Sequence, residues 1–121
     1  MTYDNNNIFA KILRGEIPCK KIYEDKFVLS FYDVNPQKKI HALVIPKGKY
    51  VNLDDFTINA SSEEMVGLLK GINIVAKKLW ISVDKGKGYR ALANISEDGG
   101  QEVPHLHFHL FGGEKIGKMV P

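Results

Sequence analysis

The sequence predicts an α+β fold in which five antiparallel strands form one sheet, accompanied by one long and one short helix. Three observations predict it. Segments rich in β-branched and aromatic residues fall into two groups, one before residue 46 and one after residue 88. A single long amphipathic stretch separates the groups, which favours an antiparallel sheet over alternating βαβ units. The chain has 121 residues, 44% hydrophobic and 26% charged, which suits one globular domain spanning residues 1–121.

Ile8, Phe9, Ile12 and Leu13 recur at helical spacing and stop at Gly15, so residues 7–14 are expected to form the short helix. Residues 21–24 and 27–34 are expected strands. Asn35-Pro36-Gln37 then turns the chain into a third strand at 40–45. Ser61 with Glu64 three residues later forms a capping box, and Met65, Leu68, Leu69, Ile72, Val75, Ala76 and Leu79 continue one apolar face. This is the long helix. After a turn at 84–88 come a strand at 89–93, a polar loop at 94–101 and a strand from His105 to Phe111. The tail from residue 112 lacks apolar periodicity and is expected to be mobile.

Composition excludes several classes of function. No apolar run approaches the ~20 residues of a membrane span, so no membrane partner is expected. The polar start, Met1 to Asn7, lacks the basic flank and apolar run of a secretory signal, and the expected compartment is the cytoplasm. The one cysteine, Cys19, has no partner within the chain for a disulfide and is given no chemical role. Net charge is +3, but the lysines are scattered and not gathered into a stripe, which argues against nucleic-acid binding. A small anionic ligand suits that surface.

The chemistry concentrates in His105-Leu106-His107-Phe108-His109, which holds three of the four histidines. On an extended strand His105, His107 and His109 would share one face. At about 3.3 Å per residue the outer two would start about 13 Å apart at Cα, too far for all three to ligate one ion. Two of them could still do so, with Glu102 or His41 as a third ligand. Phosphoryl or nucleotidyl transfer fits better, because neutral imidazole attacks phosphorus well and neighbouring rings can donate to its oxygens. Charges on adjacent rings would repel by roughly 2.5 kcal/mol, so at least one is expected to stay neutral and nucleophilic. Ser96 to Gln101 contains paired glycines that could let backbone N–H groups cradle a phosphate. Asp33 is a candidate acceptor for sugar hydroxyls.

These residues resemble the histidine triad (HIT) family, whose mark His-φ-His-φ-His-φ-φ, with φ apolar, is matched by His105-Leu-His-Phe-His-Leu-Phe111. Ile8-Phe-Ala-Lys-Ile12, Gly15-Glu-Ile-Pro18, Asp33-Val-Asn-Pro-Gln37, His41 to Lys47, Gly99-Gly-Gln101 and Gly112-Gly113 are similar to the Hint branch, the nucleoside phosphoramidate hydrolases. The resemblance implies a homodimer with a continuous ten-stranded sheet. It also implies cleavage of purine nucleoside 5′-phosphoramidates or aminoacyl-adenylates through a nucleotidyl-histidine, with no metal or other cofactor. By position His107 would be the nucleophile, His105 and His109 would flank it, and His41 would support the triad. Asp33 would bind the ribose, and Asn94, Gly100, Gln101 and Glu102 would lie on the phosphate and leaving-group side. Ile8, Phe9, Ile12, Ile17, Phe31 and Val34 would form the purine pocket, or serve as ordinary core. Glu102 stands where part of the branch has serine, and the tail lacks the tryptophan of animal members. Two other readings stay open, a dinucleoside polyphosphate hydrolase and a nucleotide-binding scaffold dimer.

Overall fold

The computed structural model describes residues 2–120. Helix α1 (Ile8–Leu13) starts at Asn7, whose buried side chain accepts the Ala10 N–H at 2.9 Å and so caps the first turn. Strands β1 (Lys21–Glu24), β2 (Val28–Tyr32) and β3 (Ile40–Pro46) follow, then helices α2 (Leu53–Asn59) and α3 (Ser62–Lys78). Strand β4 (Arg90–Leu92), the single turn α4 (Ser96–Gly99) and β5 (Phe108–Gly112) complete the order. The five strands form one sheet in the order β1-β2-β3-β5-β4, antiparallel throughout. The expected fold class is therefore the observed one.

Alternation sorts the side chains onto two faces. Val28, Ala42, Val44 and Leu110 point toward α3 and pack with Phe56, Leu68, Ile72, Val75 and Leu106. Gly71 lets the helix approach closely, since a Cβ there would lie 2.8 Å from Val28 Cγ2. Leu29, Phe31, Leu43 and Ile45 point the other way and pack beneath Phe9 of α1. His41 and His109 stand on this second face, because Leu43 pairs with His109 and His41 with Phe111. One core thus supports the sheet from behind while the other forms the floor of the histidine side.

The described elements depart from expectation in several places. The chain has two further helices, α2 and α4. The first is capped by Asn52, carries Asp54 and Asp55 in its first turn and buries only Phe56; the second is a single turn within the expected polar loop. Strand β2 stops at Tyr32, and β4 is limited to residues 90–92. Strand β5 begins at Phe108, not at His105. Pro104 has no N–H to give a ladder, His105 N–H bonds back to Val103 O, and Leu106 N–H bonds to Tyr50 O at 2.8 Å. His105 and His107 therefore precede the strand, and of the three only His109 stands on it. The tail is also held: Arg90 donates to the carbonyls of Lys118 and Gly117 at 2.8 and 2.9 Å.

Candidate active site

Hydrogen-bond partners dictate where each imidazole carries its proton. His107 Nδ1 lies 2.7 Å from the carbonyl oxygen of His105, which can only accept. Nδ1 therefore holds the proton and Nε2 keeps a free lone pair. His41 Nδ1 faces the backbone N–H of Gln37 at 3.2 Å, so it accepts and its Nε2 is protonated. That N–H donates to His109 Nδ1 at 2.9 Å, leaving His109 with a proton on Nε2. Two adjacent rings, centroids 5.1 Å apart, thus offer opposite chemistry, one a lone pair and the other an N–H donor.

His105 has a different part. Its ring is fully buried, with Nε2 donating to Pro46 O at 2.8 Å and Nδ1 accepting from the Tyr3 hydroxyl at 2.6 Å. It acts on the site through its backbone carbonyl, not its ring. The cluster that faces one cavity is His107 and His109, with His41 bonded behind His109.

Burial governs the titration of all four rings. Desolvation, reinforced by neighbouring His107, pushes His105 down to about 4 against the hydrogen bond it donates to Pro46 O. His109 is also held near about 4, first by burial and then by His107 and His41. Burial lowers His107 despite its bond to the His105 carbonyl and the carboxylates of Asp33 and Glu102, and it lowers His41 despite Asp33. The rings are neutral at neutral pH. A nucleophile needs that state.

Asp33 Oδ2 lies 3.4 Å from His41 Nε2, and its other oxygen accepts the Asn35 N–H at 2.8 Å. Asp33, His41 and His109 bring three ligand atoms within 4.8 Å of one another, a different set from the metal ligands considered from sequence. Their distances would admit an ion. However, a neutral His41 ligating through Nε2 would carry its proton on Nδ1, directly against the Gln37 N–H. The arrangement fits a shared proton better than a metal.

A cavity of about 290 Å³ opens over the histidines. Phe9, Leu43 and Val103 supply apolar wall, and Asp33, Asn35, Gln37, Asn94, Gly100, Glu102, His107 and His109 supply the polar one. Gln37, Asn35, Leu43 and Val103 were not among the site residues expected from sequence, although Asn35 and Gln37 lie in the expected turn and, like Leu43, within segments that carry the family resemblance. A second cavity, about 560 Å³, shares Gln37, Asn94 and His109 with the first and adds Lys38, Arg90 and Lys118.

The other sequence candidates are dispersed. Phe31 is buried beneath Phe9, edge to face at 5.6 Å. Ile12 and Ile17 line a separate hollow with Leu13, Pro18 and Leu29. Ile8 is half exposed and Val34 is 89% exposed, so Val34 offers no enclosed wall here. Gln101 turns away from the cavity, its amide donating to Val51 O and Val103 O and its carbonyl accepting the Ser96 N–H. The expected phosphate cradle is closed as well: the N–H groups of Gly100 and Gln101 bond to Glu97 O and Ser96 O, rounding off α4. Gly100 still shapes the wall, in a left-handed conformation with φ 78°.

Comparison with known proteins finds relatives of this chain and of its fold. The HIT domain profile matches residues 14–116. A HIT-like protein of Azospirillum brasilense is 51% identical over 119 residues, 98% of this chain and 95% of that one. A HIT-like protein of Helicobacter pylori is 49% identical over 109 residues, covering 90% and 98%. Among solved structures, a HIT family hydrolase from Clostridium thermocellum superposes with a TM-score of 0.86 at 35% identity, covering 98% of this chain and 99% of that one. A histidine triad protein from Clostridium difficile gives 0.81 at 39%, covering 97% and 98%.

Proposed function

The chain belongs to the HIT family, and we propose that it hydrolyses nucleoside 5′-phosphoramidates or aminoacyl-adenylates by way of a nucleotidyl-His107 intermediate. One observation carries the reading: the His105 carbonyl holds the proton of His107 on Nδ1 and frees Nε2 inside a cavity whose opposite donor is His109 Nε2–H. The name of the C. thermocellum relative supports hydrolysis, and the Hint-like motifs support the purine nucleotide class.

In the first step His107 Nε2 attacks phosphorus, forming an N–P bond as the bond to the leaving group breaks. An amine departs with a proton from solvent, and a carboxylate departs as the anion. The imidazolium that develops is stabilised through Nδ1–H by the His105 carbonyl and by the negative charge of Asp33 and Glu102. His109 Nε2–H and the Asn94 amide face the phosphoryl oxygens. His109 acts as a hydrogen-bond donor, not an acid, because its neutral ring would have to become imidazolate to give up that proton. In the second step water attacks phosphorus and loses a proton to solvent, the N–P bond breaks with its electron pair returning to His107 Nε2, and the nucleoside monophosphate leaves.

Asp33 would accept the ribose hydroxyls, and Phe9 with Leu43 would pack against the nucleoside. The Lys38, Arg90 and Lys118 cations around the second cavity favour one variant, a polyphosphate leaving group as in dinucleoside polyphosphates. A substrate panel separates the two. Adenosine 5′-phosphoramidates and aminoacyl-adenylates are expected to turn over at least tenfold faster, in kcat/KM, than diadenosine polyphosphates. The reverse order would move the chain to the polyphosphate class, and AMP binding without turnover of any substrate would make it a scaffold.

We also propose a homodimer joined through β4 and the outer face of α3. β4 is a sheet edge with Ala91 exposed, and Val66 and Leu69 are exposed along α3. Sedimentation equilibrium at micromolar concentration is expected to read the mass of two chains; a single-chain mass would refute the pairing.

A further inference from the structure

We propose that Tyr3 is a positioning residue for this reaction, its hydroxyl holding the His105 ring and thereby the carbonyl that orients His107. The proposal rests on the reading of His107 as nucleophile. It starts from the weakness of the backbone just before β5. Residues 101–107 belong to no regular element, and His105 N–H is bound only within its own turn, to Val103 O. The ladder that would fix a strand residue is missing at the one carbonyl on which the His107 tautomer depends.

The ring of His105 supplies the missing anchorage. Pro46 O, at the end of β3, requires a proton on Nε2, which leaves Nδ1 with a lone pair and no proton. That nitrogen sits in a fully buried ring, where an unpaired acceptor is costly. Tyr3 Oη meets it at 2.6 Å, so the tyrosine donates, and its ring stands edge-on to the imidazole at 5.6 Å. With both ring nitrogens engaged, His105 has one tautomer and one orientation.

Tyr3 is itself held. The buried Asn7 side chain and backbone N–H both donate to Asp4 O, at 2.8 and 3.2 Å, and Arg14 donates to Asn5 O. The capping residue of α1 thus fixes the turn that carries Tyr3. Tyr3 does not line the histidine cavity. Its effect is therefore expected on the chemical step and not on nucleotide binding.

The test is Tyr3→Phe in the full chain, which keeps the ring and its edge contact but removes the donor. Freed of a firm carbonyl partner, His107 shifts toward the Nε2–H tautomer favoured by imidazole in water, which cannot attack. Three results are expected. The imidazole nitrogen spectrum at pH 7.5 moves at His105 Nδ1 and shows an increased Nε2–H population at His107. The single-turnover rate of adduct formation from an adenosine phosphoramidate falls about tenfold, the scale of one lost hydrogen bond, while the Kd for AMP changes less than twofold. Placing 4-aminophenylalanine at position 3 restores a donor and recovers the rate, which a general loosening of the N-terminus would not allow. Unchanged His107 nitrogen shifts with a wild-type rate in Tyr3→Phe overturn the proposal, and so does a rate loss that 4-aminophenylalanine leaves unrepaired. Failure of the wild-type chain to form any His107 adduct instead overturns the nucleophile reading on which the proposal rests.

Discussion

His107→Ala is expected to lower turnover of an adenosine phosphoramidate by roughly 10⁴-fold or more, the scale seen when a covalent nucleophile is removed. The reason is local. His107 Nε2 is the imidazole nitrogen in the cavity left with a lone pair, since the His41 proton occupies His109 Nδ1 and leaves His109 Nε2 protonated. No neighbouring ring can take over the attack without moving a proton against its hydrogen bonds. AMP affinity is expected to change little, because Asp33, Asn94, Phe9 and His109 remain around the cavity. His105→Ala is expected to cost less than His107→Ala but at least as much as Tyr3→Phe, since the carbonyl that orients His107 stays in the chain while the ring that anchors it is lost. Comparable turnover in His107→Ala and the wild type would contradict the assignment.

Acid is expected to destabilise the fold early, before carboxylates protonate. The unfolded chain binds protons on its histidines near pH 6.5, whereas burial holds folded His105 and His109 near about 4 and lowers His41 and His107 as well. Because the folded pKa values are depressed, the stability is fully present above about pH 6.5 and is lost as pH falls toward 4. For the fully buried His105 alone the loss amounts to roughly 3 kcal/mol by pH 4, at about 1.36 kcal/mol per unit. That is on the order of 10 °C in Tm for a chain of this size. Differential scanning calorimetry from pH 7.5 to 4.5 reads it directly. A Tm that stays flat from pH 6.5 to 5.5 would mean that the histidines are not held neutral by the fold.

What could be read from sequence follows the range of the interactions involved. The capping box at Ser61 and Glu64 is local, and both of its bonds form as expected. The alternation in β2 and β3 is local too, and it places the core faces correctly. Helix α2 is not legible in the sequence because its seven residues bury only Phe56, which leaves no apolar period. The start of β5 is masked in the sequence because His-Leu-His-Phe-His alternates like a strand. The bonds that pull residues 105 and 106 off the ladder go to Val103 and to distant Tyr50, although Pro104 was a visible warning.

The candidate site divides in the same way. His107, His109, Asp33, Asn94, Gly100 and Glu102 line one cavity with Phe9, the group of residues that the family resemblance implied. The proton arrangement could not be read, because it depends on backbone groups of Gln37, Pro46 and His105 that carry no side-chain signature. Tyr3 lies 102 residues from its partner, beyond any periodicity. The glycine loop illustrates the opposite error: Gly99 and Gly100 suggested a phosphate cradle by composition, whereas the N–H groups of Gly100 and Gln101 are spent within α4 and its cap.

The most direct measurement is rapid-quench intact-mass analysis of the wild-type chain during turnover of an adenosine phosphoramidate, with peptide mapping of any adduct and a parallel reaction in chelator. The expected result is a transient mass increase of one adenylyl group located on His107, forming and decaying at rates that account for turnover, with or without chelator. Turnover that proceeds with no adduct at the earliest times and stops on addition of chelator would contradict covalent catalysis by His107.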